Sequence, residues 1–327
     1  GSAYVFTRTT AGDLASGWTQ VAKLTADDGA QGDYFGHSVS IDGDTTVIGA
    51  KSDDDNVRGS NSGSAYVFTR DTAGDLASGW TQVAKLTADD GAASDGFGIS
   101  VSIDGDTVVV GAHADDDKGS QSGSAYVFTR DAASDLASGW THVAKLTADD
   151  GAAYDEFGFS VSIDGDTVVI GANKDRDKGI NSGSAYVFTR ATASDLASGW
   201  TQVAKLTADD GAEWDLFGIF VSINGDTMVV GARQDDDKGD ESGSAYVFTR
   251  TTAGDLASGW TQVAKLTADD GAAYDEFGGS VSIGGGTVVI GTDKGYNSGS
   301  VYVFQLALPS PCAQASTPPR NGTGNDC

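Results

Sequence analysis

Aspartate supplies most of the chemistry this sequence could perform. Five segments place an Asp-Asp pair ahead of a third Asp: Asp27, Asp28 and Asp33; Asp89, Asp90 and Asp95; Asp149, Asp150 and Asp155; Asp209, Asp210 and Asp215; Asp269, Asp270 and Asp275. A second set runs Asp53, Asp54, Asp55, then Asp115, Asp116, Asp117, then Asp175 and Asp177 around Arg176, then Asp235, Asp236, Asp237. Carboxylates this close repel one another, and a hard divalent cation with several oxygen ligands relieves the repulsion. Ca2+ is therefore the candidate cofactor. Its candidate ligands are Asp27, Asp28, Asp33, Asp53 and Asp55 with their equivalents as far as Asp237, and the clusters at Arg176 and at Asp293 are the weak ones. Two other readings compete. Asp and Gly are favoured turn residues whose side chains bond their own backbone, and an acidic surface aids solubility, in high salt especially.

Catalytic constellations are not found. The histidines, His37, His113 and His142, stand in three different repeats at non-equivalent positions, and neither His-Glu-x-x-His nor Gly-x-Ser-x-Gly occurs. Glycoside hydrolysis needs two carboxyls at a set separation, one with a raised pKa, and nothing in the sequence singles out such a pair. The expectation is a protein that is not an enzyme. With 47 Asp+Glu against 20 Lys+Arg the formal charge is −27, which argues against nucleic acid and against an anionic membrane surface. No run approaches the ~18 apolar residues that cross a bilayer. No charged-then-apolar leader opens the sequence, so a secretion signal would lie outside it.

The elements that must hold these aspartates come from a repeat. Gly-Ser-Ala-Tyr-Val-Phe-Thr-Arg starts at Gly1, Gly63, Gly123, Gly183 and Gly243, and Gly-Ser-Val-Tyr-Val-Phe starts at Gly299. Each unit of ~60 residues reads as four strands. In the second these are Gly63–Arg70, Trp80–Ala88, Phe97–Ile103 and Thr107–Ala112. In the Trp80 strand, alternation puts Trp80, Gln82, Ala84 and Leu86 on one side and Val83 and Lys85 on the other. Asp104-Gly105 is a hairpin signal of the type I′ kind. Period-two alternation without a helical period makes the chain all-β. Four-stranded repeats favour a β-propeller over a β-helix, whose coils are shorter and carry no tight hairpin in each unit.

Phe-Gly pairs stand at Phe35-Gly36, Phe97-Gly98, Phe157-Gly158, Phe217-Gly218 and Phe277-Gly278. Gly-Ala pairs follow at Gly49-Ala50, Gly111-Ala112, Gly171-Ala172 and Gly231-Ala232, with Gly291-Thr292 in the fifth. Over about residues 1–305 this pattern resembles the FG-GAP repeat family, the blade type of integrin α-chain propellers and of many bacterial and algal surface proteins. The Pro of the family name is replaced by Lys51, His113, Asn173, Arg233 and Asp293. The resemblance also implies Ca2+ sites in a long loop between the first two strands of a blade. Here that loop is only Asp42-Gly43, Asp104-Gly105, Asp164-Gly165, Asn224-Gly225 or Gly284-Gly285, too short to wrap a cation.

In this frame each blade runs from Phe-Gly (strand A) through B and C to Trp-Thr-Gln-Val-Ala-Lys-Leu (strand D). The expected blades are 35–88, 97–148, 157–208, 217–268, and 277–305 joined by 18–26. This is a five-bladed propeller over 1–306, closed by N- and C-terminal strands that share a blade, which removes an exposed edge. One C strand is then surplus, either Gly1–Arg8 or Gly299–Phe304, and could add to another copy by β-augmentation. Strand directions place the D–A and B–C loops, and most of the acidity, on one face. Tyr154, Trp214 and Tyr274 in the D–A loops and His113 and Arg233 after Gly-Ala vary between repeats and are the candidate partner-binding residues, for a protein or a glycan. The tail, 307–327, is rich in Pro, Ser and Thr. A disulfide between Cys312 and Cys327 would be worth roughly 3 kcal/mol, and Asn321 opens a glycosylation sequon. The combined expectation is a non-enzymatic extracellular or cell-surface adhesion or scaffold module that uses its acidic face. The alternatives are a filament subunit joined by the surplus strand and a carbohydrate-binding or glycosidase-like propeller.

Overall fold

The computed structural model describes residues 1–8, 17–54, 57–75, 78–131, 136, 139–192, 199–293 and 299–306. Every element among them is a strand, and all pairings between named strands are antiparallel. The architecture is a five-bladed β-propeller when blades are counted by their A strands. Four blades are complete: β3 to β6 (Ser38–Asp42, Thr45–Ala50, Ser64–Arg70, Trp80–Leu86), β7 to β10 (Ser100–Asp104, Thr107–Ala112, Ser124–Arg130, Trp140–Leu146), β11 to β14 (Phe157–Asp164, Thr167–Ala172, Ser184–Arg190, Trp200–Leu206) and β15 to β18 (Val221–Asn224, Thr227–Ala232, Ser244–Arg250, Trp260–Leu266). The fifth holds A, B and C strands, β19 to β21 (Ser280–Gly284, Thr287–Gly291, Val301–Gln305), and a two-stranded sheet of β1 (Ala3–Arg8) and β2 (Trp18–Leu24) precedes the first.

Small residues set how closely the blades converge. A Cβ on Gly111 would fall 1.9 Å from the Gly158 carbonyl oxygen of the next blade, so the Gly of Gly-Ala abuts the Phe-Gly backbone of its neighbour. The interleaved serines of strand A bridge the same join. Ser100 Oγ donates to Gly158 O at 2.9 Å, and Ser102 Oγ accepts the Ile163 N–H at 3.1 Å. Phe157 fills the space between, edge-on to Tyr186 and Phe188 with centroids 5.4 and 6.0 Å away. On the opposite face, at the join one blade earlier, Arg130 donates to Asp106 and to Thr45 Oγ1 at 2.8 Å, while stacking over Trp140.

Three expectations are corrected. Asp42 pairs with Thr45 and Asp104 with Thr107, so the turn residues are Gly43-Asp44 and Gly105-Asp106. Only the glycine has positive φ, the pattern of a type II′ turn. In strand D the alternation breaks at Val83: Phe68 pairs with Gln82 and Val67 with Ala84. That bulge turns Trp80 toward the preceding sheet and Leu86 toward the following one, whereas simple alternation put both on one side. Finally, the terminal strands do not share a blade. β2 pairs with β1, in the register and with the bulge of every other C–D pair, and β21 pairs with β20. Each C strand stays with its own repeat, because pairing across a short connection costs less chain entropy than joining the two ends of the array. Neither is surplus.

Candidate functional site

The D–A loop of each blade is stitched to the B–C loop of the blade before it. Tyr154, Glu156 and Phe157 donate backbone N–H bonds of 2.8, 3.1 and 2.9 Å to the carbonyls of Ser120, Gln121 and Ser122. The same ladder joins Trp214, Leu216 and Phe217 to Ile180, Asn181 and Ser182. Both acidic loop families therefore lie on one face, as strand direction implies.

Within a blade the carboxylates converge on a lysine that sequence reading did not single out. Lys145 Nζ lies 2.7 Å from Asp90, 3.1 Å from Asp115 and 2.5 Å from Asp117. Lys205 is held by Asp150, Asp175 and Asp177, and Lys265 by Asp210, Asp235 and Asp237. Lys85 meets Asp28 and Asp53; Asp55 lies outside the described residues. A tyrosine closes each group. Tyr126 O–H is 2.9 Å from Asp90 Oδ1 and 2.7 Å from Asp115 Oδ2, able to donate to either, and the Lys145 ammonium sits 5.2 Å from its ring centroid. The signal was present in the sequence: Tyr and Lys recur unchanged in every Ser-Ala-Tyr and Ala-Lys-Leu, and they are direct cross-strand partners once the bulge is counted.

Titration follows from this geometry. Burial alone would raise the Asp90, Asp150 and Asp210 carboxyls, but hydrogen bonds from the lysine and tyrosine outweigh it and hold them below the usual carboxylate range. Burial opposes the lysine charges as well, and their carboxylate partners more than offset it, raising Lys145, Lys205 and Lys265. Asp95, Asp155 and Asp215 behave differently. Each accepts the N–H of the residue three before it, as Asp95 does from Ala92 at 2.6 Å. Burial pushes all three up to about 6, against that hydrogen bond and with help from Asp115, Asp175 and Asp235.

The candidate cation ligands thus sort into three roles. Asp28, Asp90, Asp150 and Asp210 join Asp53, Asp115, Asp117, Asp175, Asp177, Asp235 and Asp237 in the lysine clusters. Asp33, Asp95, Asp155 and Asp215 brace their own loops. Asp27, Asp149 and Asp209 meet a strand-D Gln through the backbone N–H, and Asp89 meets His142 at 2.8 Å. In two clusters, Asp150-Asp175-Asp177 and Asp210-Asp235-Asp237, one oxygen of each residue lies within 4.8 Å of the others, a spacing a cation can bridge. Lys205 and Lys265 stand at those centres. The short A–B turns, whose Asp42 and Asp104 accept N–H bonds from the next blade, do not fit an integrin-type calcium loop.

The partner-binding candidates separate as well. Tyr154, Trp214 and Tyr274 are 49, 53 and 59% exposed and sit at φ of 72, 72 and 64°, a left-handed backbone that bulky side chains rarely adopt. His113 packs against Phe159 and above Gly96, and Arg233 reaches Glu276 at 3.6 Å. His113 belongs to the inner packing, Arg233 is about a third exposed, and both stand apart from the exposed aromatics. Cys312, Cys327 and Asn321 lie outside the described residues.

Five stretches, 18–68, 80–128, 140–188, 200–248 and 260–304, match the family described as FG-GAP repeat. Each runs D-A-B-C, one strand out of step with the blades. No curated protein matches. Among solved structures, the crystal structure of alpha-L-arabinofuranosidase from Lactobacillus brevis is similar at 12% identity and a TM-score of 0.43, with 86% of this chain and 94% of that one covered. A likeness of that size says nothing about chemistry.

Proposed function

The chain belongs to the FG-GAP repeat family, and we propose that it is a non-enzymatic extracellular binding module that holds a basic partner surface against its acidic face. The observation that carries this reading is the lysine cluster and its repetition. Three carboxylates around one ammonium leave two uncompensated negative charges, fixed by hydrogen bonds and repeated in register in three blades. A preformed potential of one sign steers and orients an oppositely charged partner. Tyr154, Trp214 and Tyr274 add exposed aromatic area on the adjoining loops, suited to stacking on Lys or Arg side chains. Ca2+ competes with the lysines in this reading and is not required. The carboxyls with raised pKa, Asp95, Asp155 and Asp215, are buried and turned into their own loops, which does not suit the open carboxyl pair of a glycosidase.

The test is surface plasmon resonance against immobilised basic proteins and neutral and acidic polysaccharides, at low and high salt. Expected are salt-sensitive binding to the basic proteins and at least tenfold weaker binding by the Tyr154→Ala, Trp214→Ala, Tyr274→Ala triple variant. Binding confined to polysaccharides, or release of chromophore from a panel of aryl glycosides, would contradict the proposal.

A further inference from the structure

One position in the blade departs from the rule that buried polar atoms are paired. The residue after Gly-Ala differs in all five repeats, Lys51, His113, Asn173, Arg233 and Asp293, and is polar in each. It stands at the end of strand B on the acidic face, where the residue after it donates its N–H to the D–A loop: Ala114 to Asp95 O at 3.2 Å and Lys174 to Asp155 O at 3.3 Å. Asn173 is only 3% exposed. Its Oδ1 nevertheless has no hydrogen-bond partner among the described residues, and neither has His113 Nδ1 or Arg233 Nε. The charged groups beside them are already engaged, Glu156 with Lys174 at 2.7 Å and Glu276 with Arg233 Nη1 at 3.6 Å. The His113 ring meets Phe159 of the next blade edge-on, with centroids 5.7 Å apart, and lies over Gly96, where a Cβ would come 2.9 Å from it. A buried polar atom without a partner costs stability. A position selected only for packing would therefore carry an apolar residue.

We propose that His113 and Asn173, with Arg233 in the next blade, form a binding site for a neutral polyhydroxylated ligand, a short saccharide. The unpaired atoms set the ligand's chemistry. Asn173 Oδ1 needs a donor, Arg233 Nε needs an acceptor, and His113 Nδ1 serves as either. A hydroxyl donates and accepts at one atom, whereas a carboxylate or phosphate only accepts and an ammonium only donates. Phe159 beside His113 adds the apolar wall that small-ligand sites combine with a few placed polar groups. A neutral ligand also escapes the long-range repulsion that a chain of formal charge −27 exerts on anions. The inference is independent of the acidic-face reading, which uses the exposed Tyr154, Trp214 and Tyr274. It makes the polar residues after Gly-Ala a cost to the fold that ligand binding recovers.

Saturation-transfer NMR on the full chain tests this with the methyl glycosides of glucose, galactose, mannose and arabinose. At least one should receive saturation, at low and high salt alike. Asn173→Leu and His113→Phe should each weaken that binding about tenfold, the scale of one lost hydrogen bond. Both variants should melt at or above the wild-type temperature, because an apolar side chain of similar size removes an unpaired buried group. The Tyr154→Ala, Trp214→Ala, Tyr274→Ala variant should bind the glycoside as wild type does, which separates this site from the acidic-face surface. No saturation of any of the four glycosides overturns the proposal, and so does saturation that both variants leave unchanged. Displacement of the glycoside by inorganic phosphate would make this an anion site instead. A melting temperature lowered in both variants would show that the polar groups serve the fold.

Discussion

β1 and β9 carry the same six residues, Ala-Tyr-Val-Phe-Thr-Arg, and pair with a D strand in the same bulged register. Every residue of β9 is buried, whereas Tyr4 and Phe6 of β1 are half exposed. The A strands repeat the contrast: Val39 is 60% exposed and its equivalent Val101 8%. Sequence therefore decides which strand forms, and the neighbouring blade decides whether it is covered. A blade is a unit that cannot bury its faces alone, as in other stacked repeats.

Paired substitutions probe that contrast, and the largest effect is expected from truncating the same aromatic in both places. Tyr126→Ala should cost about 3–5 kcal/mol, in line with large aromatic truncations in cores, and Tyr4→Ala under about 1 kcal/mol. Urea unfolding of the two variants would show it, and equal losses would remove the distinction. Next in size is the lysine. Lys145→Met strands Asp90, Asp115 and Asp117 around an apolar side chain and should cost about 2 kcal/mol. Lys23 sits 5.8 Å from the Tyr4 ring centroid, at an exposed tyrosine, and Lys23→Met should change stability by less than about 0.5 kcal/mol.

A pH effect with a definite sign follows from the same geometry. Asp95, Asp155 and Asp215 have folded pKa values raised to about 6 from the ordinary value of 3.8, so their contribution is complete below 3.8 and is lost as pH rises through about 6. Asp90, Asp150 and Asp210 are lowered, and their contribution is present above 3.8 and is lost as pH falls below it. Melting temperature should peak near pH 4 and decline toward pH 6, and Asp95→Asn with Asp155→Asn should flatten the decline. A rising profile over that interval would reverse the assignment. The smallest expected effect is that of calcium. EDTA and millimolar Ca2+ should leave the wild-type melting temperature unchanged within about 1 °C, since one kcal/mol shifts a chain of this size by only a few degrees. Lys205→Ala, with the centre of Asp150, Asp175 and Asp177 vacated, should gain a Ca2+-dependent increase.

Much of this was legible in the sequence. Recurring Gly-Ser-Ala-Tyr-Val-Phe, Phe-Gly and Gly-Ala give the blade and its four strands, since alternation and turn residues are local signals. The single acidic face follows from strand direction alone. The bulge at Val83 was not legible, because one inserted residue leaves no mark in composition while it reverses the facing of Trp80 and Leu86. The lysine at the centre of each cluster was missed for the same reason: only the bulged register sets Lys85 opposite Tyr66. The pairing of the terminal strands is a contest between a near partner and a distant one, and a count of strands does not decide it.

The identical strands allow the central claim to be tested without any substitution. Amide hydrogen exchange of Ser2–Arg8 and of Ser124–Arg130, told apart by their flanking residues, compares two copies of Ser-Ala-Tyr-Val-Phe-Thr-Arg with the same intrinsic rates. At concentrations where the chain is monomeric, the β1 copy should exchange at least a hundredfold faster than the β9 copy. Equal protection of the two would mean that a blade is stable on its own and that its neighbours do not set its burial.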